Sequence, residues 1–110
     1  MLYATDHVAL ADWYHEKLGL PPAEQYEESH LGCVHDGMYF GFNRHTSNPA
    51  PGAISLWFLV DDCDAEFAAV KSRGGVPVYE PHDTSWGARV CCFSDPVGNR
   101  VWLYKYLPKE

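Results

Sequence analysis

The sequence has no apolar run approaching the roughly 20 residues that a membrane-spanning helix requires, so no membrane partner is expected. Its first residues, MLYATDHVAL, lack a basic region followed by an apolar block, and no signal peptide is expected. Positive charge is scarce: eight Lys and Arg stand against fifteen Asp and Glu, for a formal net charge of −7. That balance argues against nucleic acid and anionic membrane surfaces and mildly favours cationic ligands. Of the four cysteines, Cys33, Cys63, Cys91 and Cys92, no two form a CxxC. Reduced thiols in a cytoplasmic protein are expected. No pair among His7, His15, His30, His35, His45 and His82 has the i,i+4 spacing of a helical metal site. No serine, cysteine or carboxylate stands out as an activated nucleophile or general base.

What is present fits one globular domain. The chain has 110 residues, 46% of them hydrophobic and 21% charged, enough for a thin core. Its most patterned stretch is the end, Ala88 to Tyr106. Two apolar runs there flank Asp95-Pro96-Val97-Gly98-Asn99, a cluster of turn formers. In the second run Val101 and Leu103 make an aliphatic face. Arg100, Trp102 and Tyr104 make a large, aromatic, partly polar one.

The rest of the chain reads as a repeat. Leu2 to Thr5 is a short strand, and Asp6 is an N-cap for a helix on which Val8, Ala11, Tyr14 and Leu18 recur. Gly19 and Pro21-Pro22 end that helix. Strand candidates follow at Ala23 to Ser29, Leu31 to His35 and Met38 to Asn43, with a two-residue hairpin signal at Asp36-Gly37. A linker, residues 45–52, carries Asn48-Pro49-Ala50-Pro51-Gly52. The pattern then restarts: a strand at Ile54 to Val60, a cap at Asp61-Asp62, and a helix from Cys63 to Arg73 with Phe67 and Val70 inward. A strand at Val76 to Tyr79, a loop through Pro81 and Trp86-Gly87, and the closing hairpin complete it. Asp6 to Gly19 and Asp61 to Gly74 span the same 13 positions. Internal repetition settles architecture more firmly than single propensities. The expectation is an α+β domain over residues 1–110, with module one at 1–44 and module two at 53–110. Two βαβββ modules then form a curved mixed sheet around a cleft.

Asp95-Pro96-x-Gly98-Asn99 before an alternating strand resembles the closing hairpin of the glyoxalase/bleomycin-resistance/dioxygenase superfamily, the vicinal oxygen chelate fold. Asp6…Ala11-Asp12-Trp13-Tyr14…Leu18-Gly19-Leu20, Phe58-Leu59-Val60-Asp61-Asp62 and Trp86-Gly87-x-Arg89 are similar to further pieces of it. The resemblance covers nearly the whole chain and implies the fold. It also implies a divalent metal held by His and Glu from four strands, with open positions for vicinal substrate oxygens. Three of those positions fall at or beside Gly41, on Ser55 and on Trp102; the first-strand His would precede Met1. None is a good metal ligand, and Phe40, Phe42, Ile54, Leu56, Val101 and Leu103, one position away, are no better. No metal and no cofactor is therefore expected. The resemblance further implies a homodimer. It leaves a binder or sequesterer of a small organic molecule, like the drug-binding members, or a lyase, isomerase or dioxygenase using an unusual site; a third reading is an interaction module without a ligand.

Alternation gives the candidate lining. Residues in register with the metal positions are Tyr39, Gly41 and Asn43, then Ser55, Trp57 and Leu59, then Arg100, Trp102 and Tyr104. The candidate ligand-binding residues are Tyr39, Asn43, Ser55, Trp57, Trp86, Arg100, Trp102 and Tyr104, with Trp86 as a lid. Rings with polar tips suit a flat aromatic or cationic ligand, or equally a core or a subunit contact. His7 and His15 are expected at the surface of the first helix. His30, His45 and His82 are expected in turns or loops, and His35 at a strand end.

Overall fold

The computed structural model describes residues 1–108. The described residues form eight strands and two helices in the order βαβββ, βαβββ. The chain divides into two compact units. The first comprises Met1–Pro51 with Pro96–Gly98, the second Gly52–Asp95 and the residues from Asn99 onward. The protein is α+β, built of two βαβββ modules.

Unit one holds β1 (Leu2–Ala4), α1 (His7–Leu18), β2 (Glu24–Glu27), β3 (His30–His35) and β4 (Met38–Arg44). Its sheet order is β1-β4-β3-β2, with β1 parallel to β4 and the other pairs antiparallel. The Asp6 carboxylate accepts from the Ala9 N–H, and Gly19 closes the helix in the left-handed region that costs glycine no Cβ strain. Asp36 and Gly37 both have positive φ, which matches the turn to the twist of the two strands. One face of the sheet packs on α1: Leu31, Cys33, Phe40 and Phe42 are buried, and the Phe42 ring lies 5.5 Å from that of Tyr14. The helix buries His7, Leu10, Ala11, Trp13 and Tyr14. This corrects the expected stripe, because Val8 is 49% exposed and His7 only 6%. Positions 7, 10, 11 and 14 are the i, i+3, i+4, i+7 set of a true helix face, a closer fit than 8, 11, 14 and 18.

Unit two repeats the plan with β5 (Ser55–Leu59), α2 (Cys63–Ser72), β6 (Val76–Asp83), β7 (Ala88–Ser94) and β8 (Arg100–Tyr106). Its sheet order, β5-β8-β7-β6, is that of unit one, again with the first and last strands parallel. The N-cap is Asp62, accepting from the Ala65 N–H, the second residue of the expected Asp61-Asp62 cap. Two further expectations are corrected. The strand from Val76 continues through Pro81 and His82 to Asp83, and His30 and His82 lie in strands. Proline is tolerated because β6 is an edge strand and its pairing slips at two places, between Pro77 and Tyr79 and between Tyr79 and His82. The helix-facing side of this sheet carries Val101, Leu103, Phe93 and Cys91. Phe93 meets the Phe67 ring at 5.2 Å, and the Cys91 and Cys63 Sγ atoms are 3.6 Å apart.

The closing turn is tied by its own side chains. Asp95 accepts from the Asn99 backbone N–H at 2.9 Å and from its amide nitrogen at 2.8 Å. The Asp95 N–H in turn donates to the Asn99 carbonyl at 3.0 Å. Both residues are buried. The turn is thus held by a small buried polar network, in which the Asn99 amide oxygen alone is left without a hydrogen-bond partner among the described residues.

Candidate functional site

Paired residues of a sheet project to the same side, so the ladder of unit two defines the face turned away from α2. One row is Ser55, Arg100 and Ser94. The next runs across all four strands: Trp57, Trp102, Cys92 and Tyr79. A third holds Leu59, Tyr104, Val90 and His82.

The middle row is a continuous aromatic surface. Trp57 and Trp102 stack at 4.7 Å with their planes 5° apart. Tyr79 stacks on the other flank of Trp102 at 5.5 Å and 19°. These two rings come from strands separated by β7, and they meet because β7 contributes only the small Cys92 between them. The rings bury that thiol completely, and burial pushes its pKa up to about 11. Cys92 is therefore a packed floor rather than a nucleophile. Tyr104 and Trp86 present edges to Trp57 at 6.0 and 6.3 Å. Trp57 is 47% exposed and Trp86 57%. Tyr79 is exposed too, so this is a large open aromatic patch of the kind that marks an interaction site.

Ser55, Trp57, Trp86, Arg100, Trp102 and Tyr104 thus come together in unit two. Tyr39 and Asn43 belong to unit one, on the sheet face turned away from α1. There they meet a residue that sequence reasoning placed in a turn. His30 opens β3 directly opposite Asn43. Its Nδ1 is bonded to the Asn43 amide oxygen, and its Nε2 lies 2.5 Å from the Tyr39 hydroxyl. Tyr79 and Tyr106 were also missed; the latter sets its edge against Tyr104 at 5.6 Å. A signal for His30 was available. Counting outward from the two-residue turn at Asp36-Gly37 pairs His30 with Asn43 and Gly32 with Gly41.

The model of the Glyoxalase/Bleomycin resistance protein/Dioxygenase superfamily matches residues 1–103. The chain belongs to that superfamily. A solved glyoxalase/bleomycin resistance protein/dioxygenase from Nocardioides superposes with a TM-score of 0.85 at 17% identity, covering 99% of this chain and 82% of that one. A family enzyme from Burkholderia phytofirmans gives 0.82 at 19% identity over 96% of this chain and 94% of that one. At these identities the likeness shows the fold alone. Among curated proteins, the provisionally named glyoxylase CFP32 of Mycobacterium bovis and Mycobacterium tuberculosis is 35% identical over 65 residues. That segment is 56% of this chain and only 25% of the mycobacterial protein, so the chain spans about a quarter of that relative's length.

The metal of this superfamily does not fit the residues present. Gly41 has no side chain, and the space where a Cβ would project is taken by the Met1 sulfur and by His30 Cε1. Ser55 has Arg100 as its cross-strand neighbour, a fixed positive charge beside the place where a dication would bind. Trp102 offers a ring already stacked on both flanks. Among the described residues, no group of three or more His, Cys, Asp or Glu side chains is placed to hold an ion.

Proposed function

We propose that this superfamily member binds a small, flat organic molecule on the aromatic face of unit two, without a metal. The observation that carries the reading is the Trp57–Trp102–Tyr79 row, open to solvent and flanked by the Ser55–Arg100 row. A fused-ring ligand laid across the exposed edges of this row makes edge-to-face contacts, each gaining about 0.5–1.5 kcal/mol beyond the area it buries. Arg100 and Ser55 lie where they can take a carbonyl or carboxylate at the ligand's edge. The nearby guanidinium outweighs the distributed net charge of −7, which is screened beyond about 8 Å at physiological salt. Trp86, held edge-on to Trp57, is positioned to close over such a ligand. The reading is of a binder or sequesterer rather than a metal-dependent lyase or dioxygenase, because Gly41, Ser55 and Trp102 supply no good ligand for a catalytic divalent metal. A homodimer, with part of the exposed aromatic surface covered by the second copy, belongs to the same proposal.

The test is a thermal-shift series with fused-ring carboxylates, starting from 2-naphthoate, run with and without EDTA. The melting temperature should rise with ligand concentration and be unaffected by the chelator. A shift that EDTA abolishes, and zinc or manganese restores, would contradict the metal-free reading.

A further inference from the structure

We infer that His30, with Tyr39 and Asn43, forms a second binding site, on the open face of the unit-one sheet, for neutral ligands carrying a phenol-type hydroxyl. The inference stands on unit one alone and needs nothing from the aromatic row of unit two.

The chemistry starts from Asn43. Its amide oxygen can only accept, so the proton of a neutral His30 ring sits on Nδ1 and is donated there. The other nitrogen, Nε2, is then an acceptor. The Tyr39 hydroxyl donates to it. A phenol group is thus already bound at this acceptor, and it is the protein's own.

The glycines explain why it fits. Gly32 and Gly41 face each other across β3 and β4. A Cβ on Gly32 would lie 2.1 Å from the Tyr39 hydroxyl, and one on Gly41 would lie 3.0 Å from His30 Cε1. The two absent side chains leave room that the Tyr39 hydroxyl and the Met1 sulfur now fill, the latter 2.2 Å from where a Gly41 Cβ would lie. The cover is loose: Tyr39 is 43% exposed and Met1 60%. A hydroxylated ring from solution can replace the Tyr39 phenol at His30 Nε2, with the Tyr26 ring, 6.0 Å from His30, as its flank.

The surroundings select the charge of that ligand. Glu24 pairs with Gly32 and Glu27 with His30 on the neighbouring strand. Carboxylates on that side disfavour an anion, so a neutral hydroxyl donor is preferred to a carboxylate of the same shape. This is the opposite preference to that of the Arg100 row in unit two.

The probes are 4-chlorophenol, 4-chloroanisole and 4-chlorobenzoate, titrated into protein labelled at its histidine side chains and read at the His30 ring nitrogens by NMR. The phenol should shift the Nε2 signal, with Nδ1 remaining the protonated nitrogen. It should bind at least tenfold more tightly than the ether or the carboxylate. Tyr39→Phe removes the internal competitor and should raise phenol affinity about threefold or more, whereas His30→Phe should erase the hydroxyl preference. The comparison of the three probes on the unaltered protein does not depend on either variant folding. Equal binding of phenol and ether, no response at His30 at millimolar phenol, or weaker binding by Tyr39→Phe would each overturn the inference. If 2-naphthoate binds through Trp102 while phenol shows no preference, this inference fails and the unit-two reading stands.

Discussion

Leu103 and Trp102 are neighbours on one strand with opposite duties. Leu103 faces α2 and is 3% exposed; Trp102 faces away, half-buried between two rings. Leu103→Ala should cost about 2–5 kcal/mol, the transfer and cavity cost of a core leucine. Trp102→Ala removes two ring contacts and should cost less. Denaturant melts of the two variants compare them with the strand backbone held common. Equal losses would make the aromatic row part of the core and remove the main support for ligand binding. Alternation made this division legible from the sequence, since Val101 and Leu103 oppose Trp102 and Tyr104 at strict period two. His30 was less legible, because a histidine next to Ser29 reads as a turn residue until hairpin register is counted. Tyr79 was missed for another reason. Its contact with Trp102 spans an intervening strand and exists only because Cys92 is small, which no local pattern announces.

At the scale of elements, caps and turns carried most of the information. Asp6 and Gly19 bound α1 as their chemistry demands, and Asp36-Gly37 makes the hairpin its composition implies. For α2 the sequence offered two adjacent aspartates, and only the structure separates them. Asp62 caps, while the Asp61 backbone carbonyl accepts from the Lys105 ammonium. Replacing Asp62 by Ala should cost about 1 kcal/mol, and Asp61→Ala should be close to neutral, measured by urea unfolding. A larger loss at Asp61 would mean that the cap is misassigned. The boundary of β6 was harder to read. Prolines normally end strands, and two of them inside Val76–Asp83 are admissible only because this strand sits at a sheet edge with slipped pairing. Edge position is a tertiary fact that the sequence of the strand does not contain. The α1 stripe failed similarly: both candidate faces carry apolar residues, and the burial of His7 decides between them only after the helix is docked.

At the scale of the molecule, the repeat was the most legible feature. Both sheets have the same strand order and the same parallel pairing of first and last strands, as two copies of one module require. What the repeat does not fix is chemistry, because the superfamily fold carries several. The two sheets differ in what their open faces carry: a His30–Tyr39–Asn43 network in unit one, and the stacked Trp57, Trp102 and Tyr79 rings in unit two. No helix is long and apolar enough to cross a membrane, among the described residues. On the homodimer proposal, sedimentation equilibrium at micromolar concentration should return twice the chain mass of 12.4 kDa, with an interface burying more than about 1,000 Å² in total. A single-chain mass at that concentration would count against it.

Calorimetric titration of 2-naphthoate into the protein and into Trp102→Ala asks whether the Trp57–Trp102–Tyr79 row is a binding platform. Saturable 1:1 binding to the unaltered chain is expected, weakened by about 1–3 kcal/mol, or roughly 5- to 150-fold, in the variant. The absence of saturable binding, or equal affinity in the folded variant, would contradict that reading.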